Sequence, residues 1–567
     1  MKRVFYIWVF YSLGHIIPLK AQVSDGKEIL AQEFRPHDKE VSSTAENSAS
    51  PIFQFSPAFT LEREGFLCRQ VNIASNGQNI LNDAANEPSI AINPLNPNEI
   101  MIGWRQFGDV NSDFRQAGYG YSQDGGRSWT FPGVIEPGVF RSDPVLGSDA
   151  QGNFYYSSLS AIFSTEESRI YASLFKTDSL GAWNEGTYAF GGDKQWLAID
   201  QAPNEEANVY SYWSSFSDCE GNFTRSIDAG ENFESCTEIG ESFVLWGTMD
   251  IGPDRDLYVA GFQFRATEAG PDNRYLVFKS PNAWNKEKPG DWFPLGSVDL
   301  GQSGEHFLSD SPNPDGLQGQ VEISVDRSGS DTNGNVYILS SVKTSSDSLD
   351  IMFARSLDGG LTWEAPFRVN DDSASNILQW FGTMSVAPNG RIDVAWLDTR
   401  DNPGTFLSAL YYSFSSDGGE TWSPNQKLTD AFDPHIGWPV QRKMGDYFDM
   451  VSDNEGAHLA WAGTFNGEQD VYYSYIQPAE LLTHYKDIAE QIDFQVFPNP
   501  FSDQVTIETT LQEPVHISVF NTVGKLIYKG EFFQKFQLEA SNWTDGVYVI
   551  KMIGKDSSRG VKRMVKK

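Results

Sequence analysis

Seven places in the 567-residue sequence set polar, charged or aromatic residues immediately ahead of an apolar strand pattern, and these are the residues that could do chemistry. They are Glu87, Asp143, Asp193 with Lys194, Trp246, Gln320, Trp380, and Asp446 with Tyr447. Paired carboxylates divide acid and base work in glycosidic cleavage, and a Tyr can act as the nucleophile when the sugar is anionic. Glu87, Asp143, Asp446 and Tyr447 are therefore the candidate catalytic residues. Arginine holds a carboxylate bidentately, and indole rings stack on sugar faces. Arg105, Arg265, Arg400, Lys194, Trp246 and Trp380 are accordingly the candidate ligand contacts. An Asp-Tyr pair at a strand start also caps and packs, and a loop arginine also serves ion pairs. Catalysis and plain binding both stay open at these positions.

Other chemistries find little to work with. A formal charge of −34 repels phosphate backbones, so no nucleic-acid partner is expected. There is no Gly-rich phosphate loop, no H-E-x-x-H and no zinc-spaced cysteine pair. With 7 His scattered along the chain, no metal centre and no cofactor is expected. The oxygen-rich run from Asp326 through Asp331 to Gly334 is the one place calcium could sit. It has no acidic residue at the twelfth position and reads as a hairpin turn. Of 3 Cys, Cys219 and Cys236 bracket a candidate hairpin symmetrically and are the disulfide candidates.

The elements that must position these residues repeat. Ser122, Asp124, Gly126 and Trp129 recur as Ser356, Asp358, Gly360 and Trp363, and as Ser415, Asp417, Gly419 and Trp422. Ser226, Asp228, Gly230 and Phe233 form a fourth copy with Phe in the aromatic place. The pattern is S-x-D-x-G-x-x-W, and each copy follows an alternating strand such as Gly118–Tyr121. Ser and Asp side chains satisfy turn N–H groups, Gly supplies a positive φ, and the aromatic ring buries beneath the turn. Worn copies stand at Thr177 with Trp183 and at Ser280 with Trp284. Paired apolar strands precede each copy at a spacing of about 60 residues, giving starts near 89, 144, 196, 248, 321, 383 and 447. Four strands per unit at that spacing predict an all-β chain built as a β-propeller, with seven blades favoured and six the alternative. The seventh unit has three strands of its own, and Arg69 to Ala74 is expected to close it beside Val471 to Tyr475.

The repeated turn resembles the Asp-box, or bacterial neuraminidase repeat, of the sialidase superfamily, over roughly residues 67 to 478. That resemblance implies a propeller, and for an active member three arginines on the substrate carboxylate, a Tyr–Glu nucleophile pair and an Asp acid. No Arg-Ile-Pro segment, a feature of sialidases, occurs in the chain. The tail is similar to the C-terminal sorting domain of type IX secretion. It begins Phe494-Gln-Val-Phe-Pro-Asn-Pro-Phe, continues in short strands and ends in the basic run Val561 to Lys567. That resemblance implies passage across the outer membrane, removal of the tail, and a surface or released product.

The domain reading follows. Residues 1–21, with Lys2-Arg3 ahead of an apolar run, read as a signal peptide, and no transmembrane anchor is expected in the mature chain. Residues 22–66 read as a flexible leader, 67–478 as the propeller, 479–492 as a linker, and 493–567 as a small β-sandwich. The expected product is a monomer outside the cell or on its surface, with the secretion machinery as partner of the tail. It binds an extracellular glycan or other surface ligand through the channel-mouth loops. The alternative is a sialidase-like glycoside hydrolase, and whether it is an enzyme stays open.

Overall fold

The computed structural model describes residues 54–567 and the short strand pair Phe5–Tyr6 with Lys20–Ala21. Within that span it leaves out 164–167, 178–179, 203–204, 215–218, 241–243, 264–265, 268–269, 272–273, 289, 302–305, 307, 344–348, 374–375, 479–480, 482–493, 523 and 555–558. Most of the expected signal peptide, leader and linker lie outside the described residues, as does Arg265.

Seven antiparallel sheets follow one another along the chain. Their inner strands are Ala84–Ile92, Ser142–Ser148, Trp196–Asp200, Met249–Ile251, Glu322–Val325, Gln379–Val386 and Asp449–Ser452. Each inner strand touches the next, and the seventh touches the first, so the sheets are the blades of a closed seven-bladed propeller. Side chains on the inner strands pin neighbouring blades together. Asp449 accepts from Ser89 Oγ at 2.5 Å and from the Ile90 N–H at 3.0 Å, and Ser89 Oγ in turn accepts from the Leu146 N–H at 2.9 Å. Asp250 takes the Val325 N–H at 2.8 Å between blades four and five. Large rings fill the space between sheets, and Trp104, Trp396 and Trp461 are fully buried.

Closure comes from upstream sequence, three residues earlier than expected. Phe66–Gln70 pairs with Asp470–Ile476 in the register Gln70↔Tyr472 to Phe66↔Ile476. A further strand, Thr60–Arg63, adds outside it, and Phe55–Pro57 pairs with Gln78–Ile80. Phe55–Pro57 and Thr60–Arg63, within the expected leader, are thus strands. Phe66, Leu67 and Cys68 alternate too weakly to be read as a strand alone, because both faces become buried.

The four repeated turns are self-contained. In each, the Ser hydroxyl donates to the Asp carboxylate and accepts the Gly N–H, at 2.8 and 2.8 Å for Ser122. The residue just before the aromatic closes the turn twice. Ser128, Asn232, Thr362 and Thr421 each bond the Asp through backbone N–H and side chain. Gly126, with φ of +83°, lies against the Tyr473 ring of blade seven, where no Cβ would fit. Blade three lacks a regular fourth strand and keeps one bridge, Phe223↔Thr237. The Cys219–Cys236 disulfide, with Cα atoms 6.2 Å apart, ties that outer segment down, while Cys68 is free and buried.

The tail is a second β unit. A sheet of Phe494–Phe497, Gln504–Thr509 and Lys535–Glu539 faces one of Leu526–Phe532, Val515–Asn521, Gly546–Ile553 and Arg559–Lys566. Its core of Val505, Ile507, Ile517, Val519, Ile550 and Met564 is separate from the propeller cores. No helix among the described residues is long and apolar enough to cross a membrane.

Candidate functional site

Each blade has one residue in the left-handed region where the chain enters its inner strand, inside the strand at a β-bulge in blades one, two and six and just ahead of it in the others. These are Glu87, Asp143, Lys194, Trp246, Gly319, Phe381 and Gly445, with φ between 48° and 138°. Five of the seven carry side chains, and each such residue costs about 1–2 kcal/mol over an ordinary conformation. Strain repeated in a ring around one opening is a mark of a built site. Of the residues singled out in the sequence, Glu87, Asp143, Lys194 and Trp246 are ring positions, whereas Gln320 and Asp446 follow one by a residue and Trp380 precedes one.

Blades one, two, three and seven bring their charges together there. Lys194 Nζ lies 2.9 Å and Lys443 Nζ 2.7 Å from the same oxygen, Asp446 Oδ2. Lys443 is 3.7 Å from Glu87 Oε1, and Arg105 Nε is 3.1 Å from Glu87 Oε2. Arg105 also donates to Asn86 Oδ1 at 2.8 Å and reaches Gln441 Oε1 at 3.4 Å. Asp143 accepts from Ser142 Oγ at 2.6 Å and from the Lys194 N–H at 3.0 Å. Asp193 stands 3.4 Å from Lys194 Nζ at the outer rim. Glu87, Arg105 and Asp446 are all but fully buried, whereas Lys194, Lys443 and Asp193 keep a small exposed edge.

The electrostatics pull two neighbouring carboxyls apart. Burial pushes Glu87 up to about 8, against the opposing pull of Arg105, so it holds its proton near neutrality. Burial also disfavours charge on Asp446, but Lys194 and Lys443 outweigh it and keep this group well below the ordinary range. Lys194 is held above its ordinary value because Asp193, Asp446 and Asp143 overcome the cost of its burial. A protonated acid beside an ionised carboxylate is the pairing that acid–base cleavage uses.

Polar groups without partners gather at the same mouth. Glu87 is engaged by Arg105, Lys443 and Asp446, but Arg105 Nη2, Gln195 Oε1 and both side-chain polar atoms of Gln320 are buried and unpaired. Buried polar atoms are nearly always satisfied, so such a concentration marks a place where water or a ligand supplies the bonds.

The remaining candidates sit elsewhere. Tyr447 is buried, donates its hydroxyl to the Pro144 carbonyl at 2.8 Å and meets Trp196 edge to face; burial raises its pKa well above the ordinary value. Trp380 donates to Ser408 Oγ and packs on Phe381 inside blade six. Arg400 is bound to Asp398, Asp371 and Asn425 and lies over the Tyr411 ring, away from the cluster. Trp246 faces a different wall, beside Phe262 and His306. Asp326 is taken up locally by the Ser328 N–H and the Thr332 hydroxyl, and no group of three His, Cys, Asp or Glu able to hold a metal occurs among the described residues. Lys443 and Gln441 were missed. Their one signal was the basic pair Arg442-Lys443 just ahead of Asp446.

Residues 495–567 match the Secretion system C-terminal sorting domain. The protein carries a type IX export signal. Its place is therefore the cell surface or the extracellular space, with the type IX machinery as partner of the tail. No curated protein matches the chain. Among solved structures it is similar to a protein of unknown function from Dyadobacter fermentans DSM 18053, at 12% identity and TM-score 0.41, over 73% of this chain and 99% of that one. It is similar to a PL25 ulvan lyase at 10% identity and TM-score 0.42, over 72% of this chain and 96% of that one. It is also similar to the phage phi92 endosialidase at 9% identity and TM-score 0.40, over 77% of this chain and 72% of that one.

Proposed function

We propose that this protein is a secreted propeller of the Asp-box kind that binds an extracellular glycan at its channel mouth. The observation that carries the reading is the convergence of Glu87, Arg105, Lys194, Lys443 and Asp446 with unpaired buried polar atoms on a ring of strained backbone. Sugar hydroxyls both donate and accept, and they suit a site that offers unpaired groups of both kinds. A sialidase-type grip is not supported, because Arg105 is the only arginine of the cluster among the described residues and Tyr447 is committed to a backbone carbonyl. An immobilised glycan array tests the reading. The mature protein binds one glycan class saturably, and Lys443→Ala with Asp446→Asn abolishes that signal while the fold persists. An array that stays blank, or binding indifferent to both changes, overturns it.

A second reading rests on the split carboxyl pair. Glu87 holds its proton and Asp446 is ionised, the two protonation states that acid–base cleavage of a glycosidic bond uses. Turnover of a chromogenic glycoside that disappears in Glu87→Gln would favour it over binding alone.

A further inference from the structure

Blade seven is built differently from the others, and the difference leaves a hollow. In blades one to six the third strand runs into the repeated turn or its worn copy, which covers that end of the blade. The third strand of blade seven ends at Ile476 and passes to Gln477 and Pro478 instead. Its fourth strand starts at Phe66, after the tight turn Glu64-Gly65, and the Gln477 N–H donates to the Gly65 carbonyl at 2.9 Å between the two ends. Two short ends therefore stand where the other blades carry a whole turn. Between them and the repeated turn of blade one lies a groove of about 780 Å³. Asp453, just past the end of the inner strand Asp449–Ser452, and Asp124 of the blade-one turn both line it. The groove thus lies on the face opposite the charged mouth, which sits at the strand starts.

A hollow of that size holds a small ligand rather than a single water. Its floor is aromatic. Tyr475 is half-buried, and its ring lies against His458 with centroids 4.6 Å apart. His458 is fixed from both sides, since Nδ1 meets the Tyr473 hydroxyl at 2.7 Å and Nε2 meets Asp453 Oδ2 at 3.1 Å. An aromatic ring packed on a fixed imidazole is a ready stacking surface, because little freedom is lost when a ligand settles on it.

The rim is polar and mostly acidic. Glu62, Glu64, Asp124 and Asp453 contribute four carboxylates against the guanidinium groups of Arg63 and Arg127. Arg63 is tied to blade six, where it donates to the Lys427 and Leu428 carbonyls. Arg127 is 70% exposed and 3.9 Å from Glu62. This balance repels an anionic ligand. A cationic one finds carboxylates already engaged: Asp453 by His458, Asp124 by Ser122 and Ser128 of its own turn, and Glu62 by Arg69. Sugar hydroxyls need no free charge. They donate to the lone pairs that an engaged carboxylate still offers, and they accept from the side-chain amides of Asn98 and Gln477.

We propose that this groove is a second glycan site, which takes a neutral oligosaccharide with one ring stacked on Tyr475 and its hydroxyls bonded to the carboxylate and amide rim. It does not depend on the reading of the mouth. Saturation-transfer NMR on the full-length protein tests it, with cellotetraose, xylotetraose, mannotetraose and maltotetraose as neutral probes and tetragalacturonate as the anionic one. A neutral probe gives a saturable signal, which Tyr475→Ala weakens about tenfold, the weight of one aromatic contact. Asn98→Trp, on an exposed turn at the rim, fills the groove and weakens the signal likewise without touching the core. The mouth pair Lys443→Ala with Asp446→Asn leaves that signal in place. A neutral signal unmoved by Asn98→Trp assigns the sugar elsewhere and overturns the proposal, whatever becomes of Tyr475→Ala. Silence of all the neutral probes, or a tetragalacturonate signal that Asn98→Trp removes, overturns it as well. The mouth reading stands or falls on its own array, so the two fail separately.

Discussion

At the scale of single residues, Glu87 is the most informative side chain. Free in an unfolded chain it loses its proton near 4.5, whereas in the fold burial keeps the proton on until about 8. The folded state therefore binds the extra proton between those limits, and its stability falls as pH rises through them. Asp449, pushed by burial to about 6, and Asp470, to about 7, add slopes of the same sign. Glu87→Gln should lessen the loss of thermal midpoint between about pH 5 and about pH 8, leaving the contributions of Asp449, Asp470 and the other carboxyls that burial raises, Asp83 and Glu322 among them. Calorimetry across that range checks it, and superimposable curves would mean that Glu87 is ionised in the fold and unfit to be the acid. Its position was legible because Asn86-Glu87-Pro88 precedes a clear apolar alternation. Its pairing was not, since Lys443 and Asp446 lie more than three hundred residues away and meet it only when the ring closes.

At the scale of elements, the strand Phe66–Gln70 closes the ring. It covers the edge of Asp470–Ile476, which would otherwise expose unpaired N–H and C=O groups, and it buries Phe66, Leu67 and Cys68. A chain lacking residues 1–71 should lose on the order of 5 kcal/mol from apolar burial alone. It should aggregate on heating, whereas a chain lacking only residues 1–53 keeps the wild-type melting curve. Differential scanning calorimetry of the two truncations decides it, and equal curves would show that the ring closes without this strand. The turn elements were readable because each Ser, Asp and Gly acts within eight residues. The polar residue before the aromatic escaped notice because Ser, Asn and Thr share a role there rather than a name.

At the scale of the whole molecule, an acidic propeller is joined to a sorting tail with a core of its own. The tail touches blade six where Gly524 meets Phe414 and Ser416, around a cavity of about 10 Å³. Leu481 belongs to the propeller core and the tail's core is its own, so removal of residues 482–567 should leave the propeller's melting curve and ligand binding unchanged. The truncated protein should accumulate in the periplasm, and fractionation of the producing cells would show it. A destabilised propeller that still reaches the surface would refute that division of labour. The sequence by itself determined the blades, the turns and the tail, because each is written in local periodicity or in motifs whose bonds close within a few residues. Only the tertiary structure decided which charges face one another. The inner strands of blades one, two, three and seven are far apart in the chain, and closing the ring sets Glu87 beside Lys443 and Lys194 on Asp446. The left-handed backbone at those positions follows from the same closure, which no local pattern encodes.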